Sequence, residues 1–290
     1  MKPIRIPLFG GQLSSGMPSL LVRLVLAFAT TGSAALVRAA ESPISPKPTI
    51  VLVHGAFADS SSWNAVITKL LAHGYPVVAV ANPLRGLRTD ADYVSRVFQT
   101  IPGPVIAVGH SYAGSVITNA AVGNANVAAL VYVAGFAPDV GETAFDLSGR
   151  FPGSTLGAAL APPVTLPGGD KDLYILQDRF PAQFARDVPE REARVMAAAQ
   201  RPIAESALKE PAAQPAWKSI PSWFIFGSLD KNIPEAALLF MANRANARET
   251  INVKGASHVV MISHPDAVAK LIEKAAASAA KKPVVAAAGQ

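Results

Sequence analysis

Pro104-Val105-Ile106-Ala107-Val108-Gly109-His110-Ser111-Tyr112-Ala113-Gly114 is the stretch on which the fold turns. Residues 104–109 form an apolar run with no polar alternation, as expected of a strand covered on both faces. Residues 112–122 (YAGSVITNAAV) then read as a helix. Between them Gly109, Ala113 and Gly114 surround Ser111 with small residues, which lets the strand and helix backbones come close. A single hydroxyl is therefore set on a sharp strand-to-helix corner.

The same rhythm recurs on both sides of that corner. Strands are predicted at 49–54 (TIVLVH), 76–81 (PVVAVA), 104–109, 127–134 (VAALVYVA), 222–227 (SWFIFG) and 248–253 (RETINV), each read as covered on both faces. Helices are predicted at 62–72, 91–100, 112–122, 234–243 and 265–276, the last two opening on Pro234 and Pro265, where proline is favoured. This alternation predicts an α/β protein: a mainly parallel sheet of about six strands flanked by helices. Residues 138–216 interrupt the rhythm with no convincing strand, with Pro- and Gly-rich pieces such as 161–169 (APPVTLPGG), and with helical stretches near 178–187 and 189–199. They predict a mostly helical cap inserted over one edge of the sheet. The body is placed at 49–276 and a flexible, low-complexity tail at 277–290.

The chain has 290 residues, 50% hydrophobic, and no cysteine. That excludes a disulfide scaffold, a thiolate metal site and a cysteine nucleophile, leaving Ser, Thr, Asp, Glu or Lys for nucleophilic work. No pair of histidines has the helical spacing of a metal site, and no glycine-rich loop follows a strand as a phosphate cradle would. Neither a metal nor another cofactor is expected. The net charge of +6 would suggest nucleic acid or an anionic membrane as partner. Lys2, Arg5, Arg23 and Arg38 lie, however, in a leader with no acid, whose residues 24–37 (LVLAFATTGSAALV) are apolar and uncharged. A basic start, a short apolar run and a small-residue ending predict a signal peptide over 1–40, cleaved near residue 39 or 40, and export to the periplasm or medium. Removing its four basic residues leaves 22 against 20 acids, about +2. No nucleic-acid partner is then expected, nor stable membrane insertion after the signal is removed. Residues 41–48 (ESPISPKP) read as an extended linker.

The corner Gly109-His110-Ser111-Tyr112-Ala113 resembles the nucleophile elbow of the α/β-hydrolase family, departing from it at Ala113, where glycine is usual. The resemblance implies that Ser111 is a nucleophile. It also implies an oxyanion hole from the backbone N–H groups of Ala56, in His54-Gly55-Ala56-Phe57 after the first strand, and of Tyr112. His54 reads as a buried brace of its turn. A serine nucleophile needs a histidine base oriented by a carboxylate, and the family order of Ser, acid, His implies that both follow Ser111. His258, in the small-residue loop Gly255-Ala256-Ser257-His258, is favoured as the base over His264, which suits a helix cap. Asp230, just past the strand 222–227, is favoured as the acid over Asp139.

With the pieces HGAF, GHSYAG, LDKNIP and SHVVMISHP, residues 49–276 look most similar to the methylesterase and hydroxynitrile lyase branch of that family and its bacterial relatives. In lyases of that branch a lysine follows the catalytic histidine, whereas here Val259 does, which counts for ester hydrolysis. Phe145, Phe151, Leu156, Leu160, Leu173, Tyr174, Phe180, Phe184 and Trp217 supply apolar cap surface, more than half of it expected to serve packing. Phe57 and Tyr112 are the candidate substrate contacts from the body. The expected function is hydrolysis of a small, largely apolar carboxylic ester through an acyl-enzyme. Lyase, lactonase or carbon–carbon cleavage with the same residues, or ligand binding without chemistry, are the alternatives.

Overall fold

The computed structural model describes residues 47–280. The predicted signal peptide, residues 41–46 of the linker and residues 281–290 of the tail lie outside the described residues. Six parallel strands form the main sheet: β1 (Thr49–Val53), β2 (Val77–Val80), β3 (Val105–His110), β4 (Val127–Val133), β5 (Ser222–Gly227) and β6 (Glu249–Val253). Their spatial order is β2-β1-β3-β4-β5-β6. The order reverses at β1, whose Val53 lies beside β2 on one side and pairs with Gly109 of β3 on the other. Ligands of open α/β sheets bind beyond the carboxyl ends of the strands at such a reversal.

The five predicted helices are present as α1 (Asn64–Ala72), α2 (Leu87–Gln99), α3 (Tyr112–Ala120), α4 (Glu235–Arg244) and α5 (Pro265–Ala280). α1 packs on α5 and α2 on α3. Helix α2 begins at Leu87, earlier than the expected residue 91, because Leu87 joins Ala91, Val94 and Phe98 in one buried stripe. Helix α5 runs on through Ala280, so residues 277–280, expected to open the flexible tail, are helical.

Two expectations are corrected. Strands β3 and β5 are buried along their whole length, but the edge strands β2 and β6 are half-exposed, Val78 being 37% exposed. An edge strand has a neighbour on one side only, so its apolar sequence does not guarantee cover. The cap, expected to lack strands, contains a three-stranded antiparallel sheet of Val164–Thr165, Lys171–Leu173 and Ile203–Ala204. Strands of two or three residues are shorter than any periodicity can register.

The cap's root is tied to α4 by charge. Glu142 accepts hydrogen bonds from Arg244 Nη1 and Nη2 at 2.9 and 2.7 Å and forms an ion pair with Arg150 at 2.8 Å. Partial burial pushes the Glu142 carboxyl up, but the Arg244, Asp139 N–H and Arg150 hydrogen bonds outweigh it and hold it down at about 2. A depressed carboxyl stabilises the fold fully above its ordinary value and loses that contribution as pH falls toward the folded-state value. Glu142→Gln is expected to cost on the order of 1–2 kcal/mol at pH 7 after allowing for solvent screening. In thermal melts, the gap to the unaltered chain should close as pH drops from 4.5 toward 2.

Candidate active site

The four segments that carry the candidate residues all leave the sheet at its carboxyl edge. Ser111 ends β3 and starts α3 with φ 55° and ψ −125°, a conformation costing a non-glycine residue about 1–3 kcal/mol. The turn is pinned on both sides: Ser111 N–H donates to Val133 O at 3.2 Å, and Ser111 O accepts from Gly114 and Phe136 N–H at 2.9 and 3.1 Å. Gly114 permits this, because a Cβ there would stand 2.4 Å from Phe136 O.

Asp230 lies between β5 and α4. Its Oδ1 accepts from the N–H groups of Asn232 and Ile233 at 2.8 and 2.9 Å, which aims Oδ2 at His258 Nδ1, 2.6 Å away. Both side chains are buried, 0% and 1% exposed. The His258 loop follows β6 and is stitched to the Asp230 loop by Leu229 N–H to Ala256 O at 2.9 Å and Gly255 N–H to Ser228 Oγ at 2.9 Å. Gly227 allows that contact, since a Cβ would meet Ala256 O at 2.2 Å. His258 Nε2 is buried with no hydrogen-bond partner among the described residues, so the Ser111 hydroxyl is not yet bonded to it. Both residues face one cavity of about 180 Å³.

Ala56 and Tyr112 line the same cavity, and neither backbone N–H has an acceptor among the described residues. For Tyr112 this follows from its place at the first position of α3, where the helix offers no carbonyl. The next residue, Phe57, is different: its N–H donates to Arg201 O of the cap at 3.0 Å. The Tyr112 hydroxyl donates to buried Asp90 at 2.9 Å. Burial pushes both groups up, leaving the phenol protonated as donor. Phe57 and Tyr112 contribute to the cavity wall, with Phe145, Leu156, Leu160, Leu173 and Phe184 from the cap. Five of the nine named cap side chains therefore line the cavity, where more than half were expected to serve packing, while Phe151, Tyr174, Phe180 and Trp217 do not reach it.

The rival residues are engaged elsewhere. Asp139 pairs with Lys218 at 2.6 Å, and His264 Nδ1 bonds Ser263 Oγ at 2.9 Å. His54 braces its turn: Nδ1 donates to Gly55 O at 2.9 Å and Nε2 accepts from Asn82 N–H at 3.0 Å. Burial holds His54 down at about 4, so it stays neutral. Two contacts that hold the His258 loop were invisible in the sequence. His110, fully buried, donates from Nε2 to His258 O at 3.2 Å, and its ring lies 4.8 Å from the His258 ring. Burial, reinforced by the neighbouring His258, holds His110 well below the ordinary imidazole range. Asp187 of the cap accepts from Ser257 Oγ, next to His258. Each joins residues distant in sequence, and no local pattern encodes either.

Residues 50–271 match the sequence model of the alpha/beta hydrolase family. The chain belongs to that family. Among curated proteins, this α/β-hydrolase is 25% identical over 253 residues to the alpha/beta hydrolase nvfD of Aspergillus novofumigatus, covering 80% of this chain and 98% of that one. Among solved structures it is similar to polyneuridine aldehyde esterase, with a TM-score of 0.69, 18% identity, and 79% of this chain and 98% of that one covered. A pyrethroid hydrolase from Sphingobium faniae JZ-2 aligns with a TM-score of 0.64 and 21% identity over 81% of this chain and 99% of that one. At these identities the solved structures establish the shared fold.

Proposed function

We propose that this α/β-hydrolase is a serine esterase that cleaves a small carboxylic ester, with Ser111, His258 and Asp230 as its triad. The observation that carries the reading is the pairing of buried Asp230 and His258 at 2.6 Å with the unpartnered Nε2 turned to the cavity that holds Ser111. His258 Nε2 takes the Ser111 proton as Oγ attacks the ester carbonyl, and Asp230 stabilises the imidazolium that forms. The Ala56 and Tyr112 N–H groups receive the negative charge on the carbonyl oxygen, an interaction whose loss typically costs about a hundred- to a thousand-fold in turnover. His258 returns the proton to the alcohol oxygen, and water releases the acid by the same steps in reverse. The apolar wall favours an acyl group of moderate size without charge. Esterases and hydrolases among the relatives and neighbours support the same reaction class.

The test is turnover of methyl and p-nitrophenyl esters of graded acyl length, with product analysis. Release of equal amounts of acid and alcohol is expected. Release of an aldehyde or ketone without consumption of water would replace hydrolysis by a lyase reaction. The basic, apolar leader further supports export. Expression of the full chain with an intact secretion system should yield a periplasmic or extracellular form beginning near residue 40, read by intact mass. A full-length chain retained in the cytoplasm would contradict export.

A further inference from the structure

His110 is the last residue of β3 and stands immediately before Ser111. It is fully buried and does not line the Ser111 cavity, so it touches no substrate there. Its ring nevertheless meets each piece of the site. Nε2 donates to His258 O at 3.2 Å, and among the described residues no other donor bonds that carbonyl. The two imidazole rings lie 4.8 Å apart. On the oxyanion turn, Gly55 passes so close that a Cβ there would stand 3.2 Å from His110 Nδ1. Trp63 and Phe184 pack against the ring nearly at right angles, with centroids 6.4 and 6.2 Å away, and hold its plane.

The Asp230 bond fixes the His258 ring at one point only. It holds Nδ1, and a ring held there can still pivot, carrying Nε2 toward Ser111 Oγ or away from it. An anchor on the backbone of the same residue removes that freedom. The donor that supplies it belongs to the residue covalently joined to the nucleophile, so base and nucleophile share one support. We propose that His110 is a positioning residue for ester hydrolysis: it ties the His258 carbonyl to the strand end that carries Ser111, and so sets the distance over which the proton passes from Ser111 Oγ to His258 Nε2. The inference rests on the ester-hydrolysis reading above. A misplacement of about 1 Å at such a step can cost on the order of a hundredfold. A carbonyl can only accept, so the proton of the His110 ring sits on Nε2. Burial keeps that ring neutral, and it places no charge beside the imidazolium that His258 becomes.

The test is the rate at which an alkyl fluorophosphonate modifies Ser111, resolved into its saturating rate and its half-saturating concentration, together with kcat on p-nitrophenyl butanoate. The unaltered chain is compared with His110→Leu, close to histidine in volume but without a donor, and with His110→Gln, whose amide nitrogen can take the place of Nε2. Rates are taken per folded chain well below the melting transition, where a residue that served stability alone would leave them unchanged. His110→Leu is expected to lower the saturating rate and kcat by about 10- to 100-fold. The half-saturating concentration should stay within about twofold, because His110 does not face the cavity. His110→Gln is expected to recover both rates to within about threefold of the unaltered chain. A folded His110→Leu as fast as the unaltered chain, or a His110→Gln no faster than His110→Leu, overturns the assignment and leaves the esterase reading standing. If His110→Leu does not fold, His110→Asn, whose shorter amide stops at the position of Nδ1, takes its place with the same expected loss. An unaltered chain that neither takes the label nor cleaves any of the graded esters overturns both.

Discussion

Ser111→Ala is expected to lower kcat on a short p-nitrophenyl ester by on the order of 10⁵- to 10⁶-fold, as removal of a serine nucleophile does where the remaining machinery stays in place. The change should leave the fold alone. Ser111 Oγ makes no hydrogen bond among the described residues, so its removal strands no partner, while the backbone bonds that pin the turn all survive. The melting transition should therefore stay within about 1 kcal/mol of the unaltered chain. Stopped-assay kinetics together with a thermal melt separate the two quantities. Retained turnover in a folded variant would remove Ser111 from the mechanism.

Asp230→Asn is expected to cost about 10⁴-fold in kcat. The reason lies in how the carboxylate is divided. Oδ1 is held by the Asn232 and Ile233 N–H groups, and an asparagine oxygen can accept both. The amide nitrogen must then face His258 Nδ1, where Oδ2 stood at 2.6 Å. Two donors cannot share that contact, so His258 gives up its Nδ1 proton and carries it on Nε2 instead. A ring protonated on Nε2 cannot accept the Ser111 proton. Imidazole ¹⁵N shifts should report the tautomer change alongside the kinetic loss. Activity near the unaltered level, with Nδ1 still protonated, would point to a different acid.

The sheet was readable because a buried parallel strand is apolar along its whole length, as β3 and β5 are. The strand-to-helix corner at Ser111 was readable because only glycine tolerates the close approaches at Gly109 and Gly114, and both glycines stand in the sequence. Asp230 and His258 could be narrowed from strand ends and loop composition, yet their bond spans 28 residues and only the folded sheet edge brings them to 2.6 Å. The cap resisted reading for a physical reason. Its strands are two or three residues long, and its apolar side chains divide between packing and cavity wall according to direction, which composition does not carry. Phe136 and Leu208 line the cavity with no local sequence signal. The brace of His110 on the His258 carbonyl, 148 residues away, is likewise a property of the tertiary structure.

The central claim is that Ser111 is the activated nucleophile of this site, and covalent labelling tests it most directly. The purified chain is treated with a fluorophosphonate, and the adduct is located by intact mass and peptide mapping. One phosphonyl group on Ser111, absent from the Ser111→Ala variant and strongly slowed in Asp230→Asn, is the predicted result. A label on any other residue, or a folded chain that takes up none, would contradict the assignment.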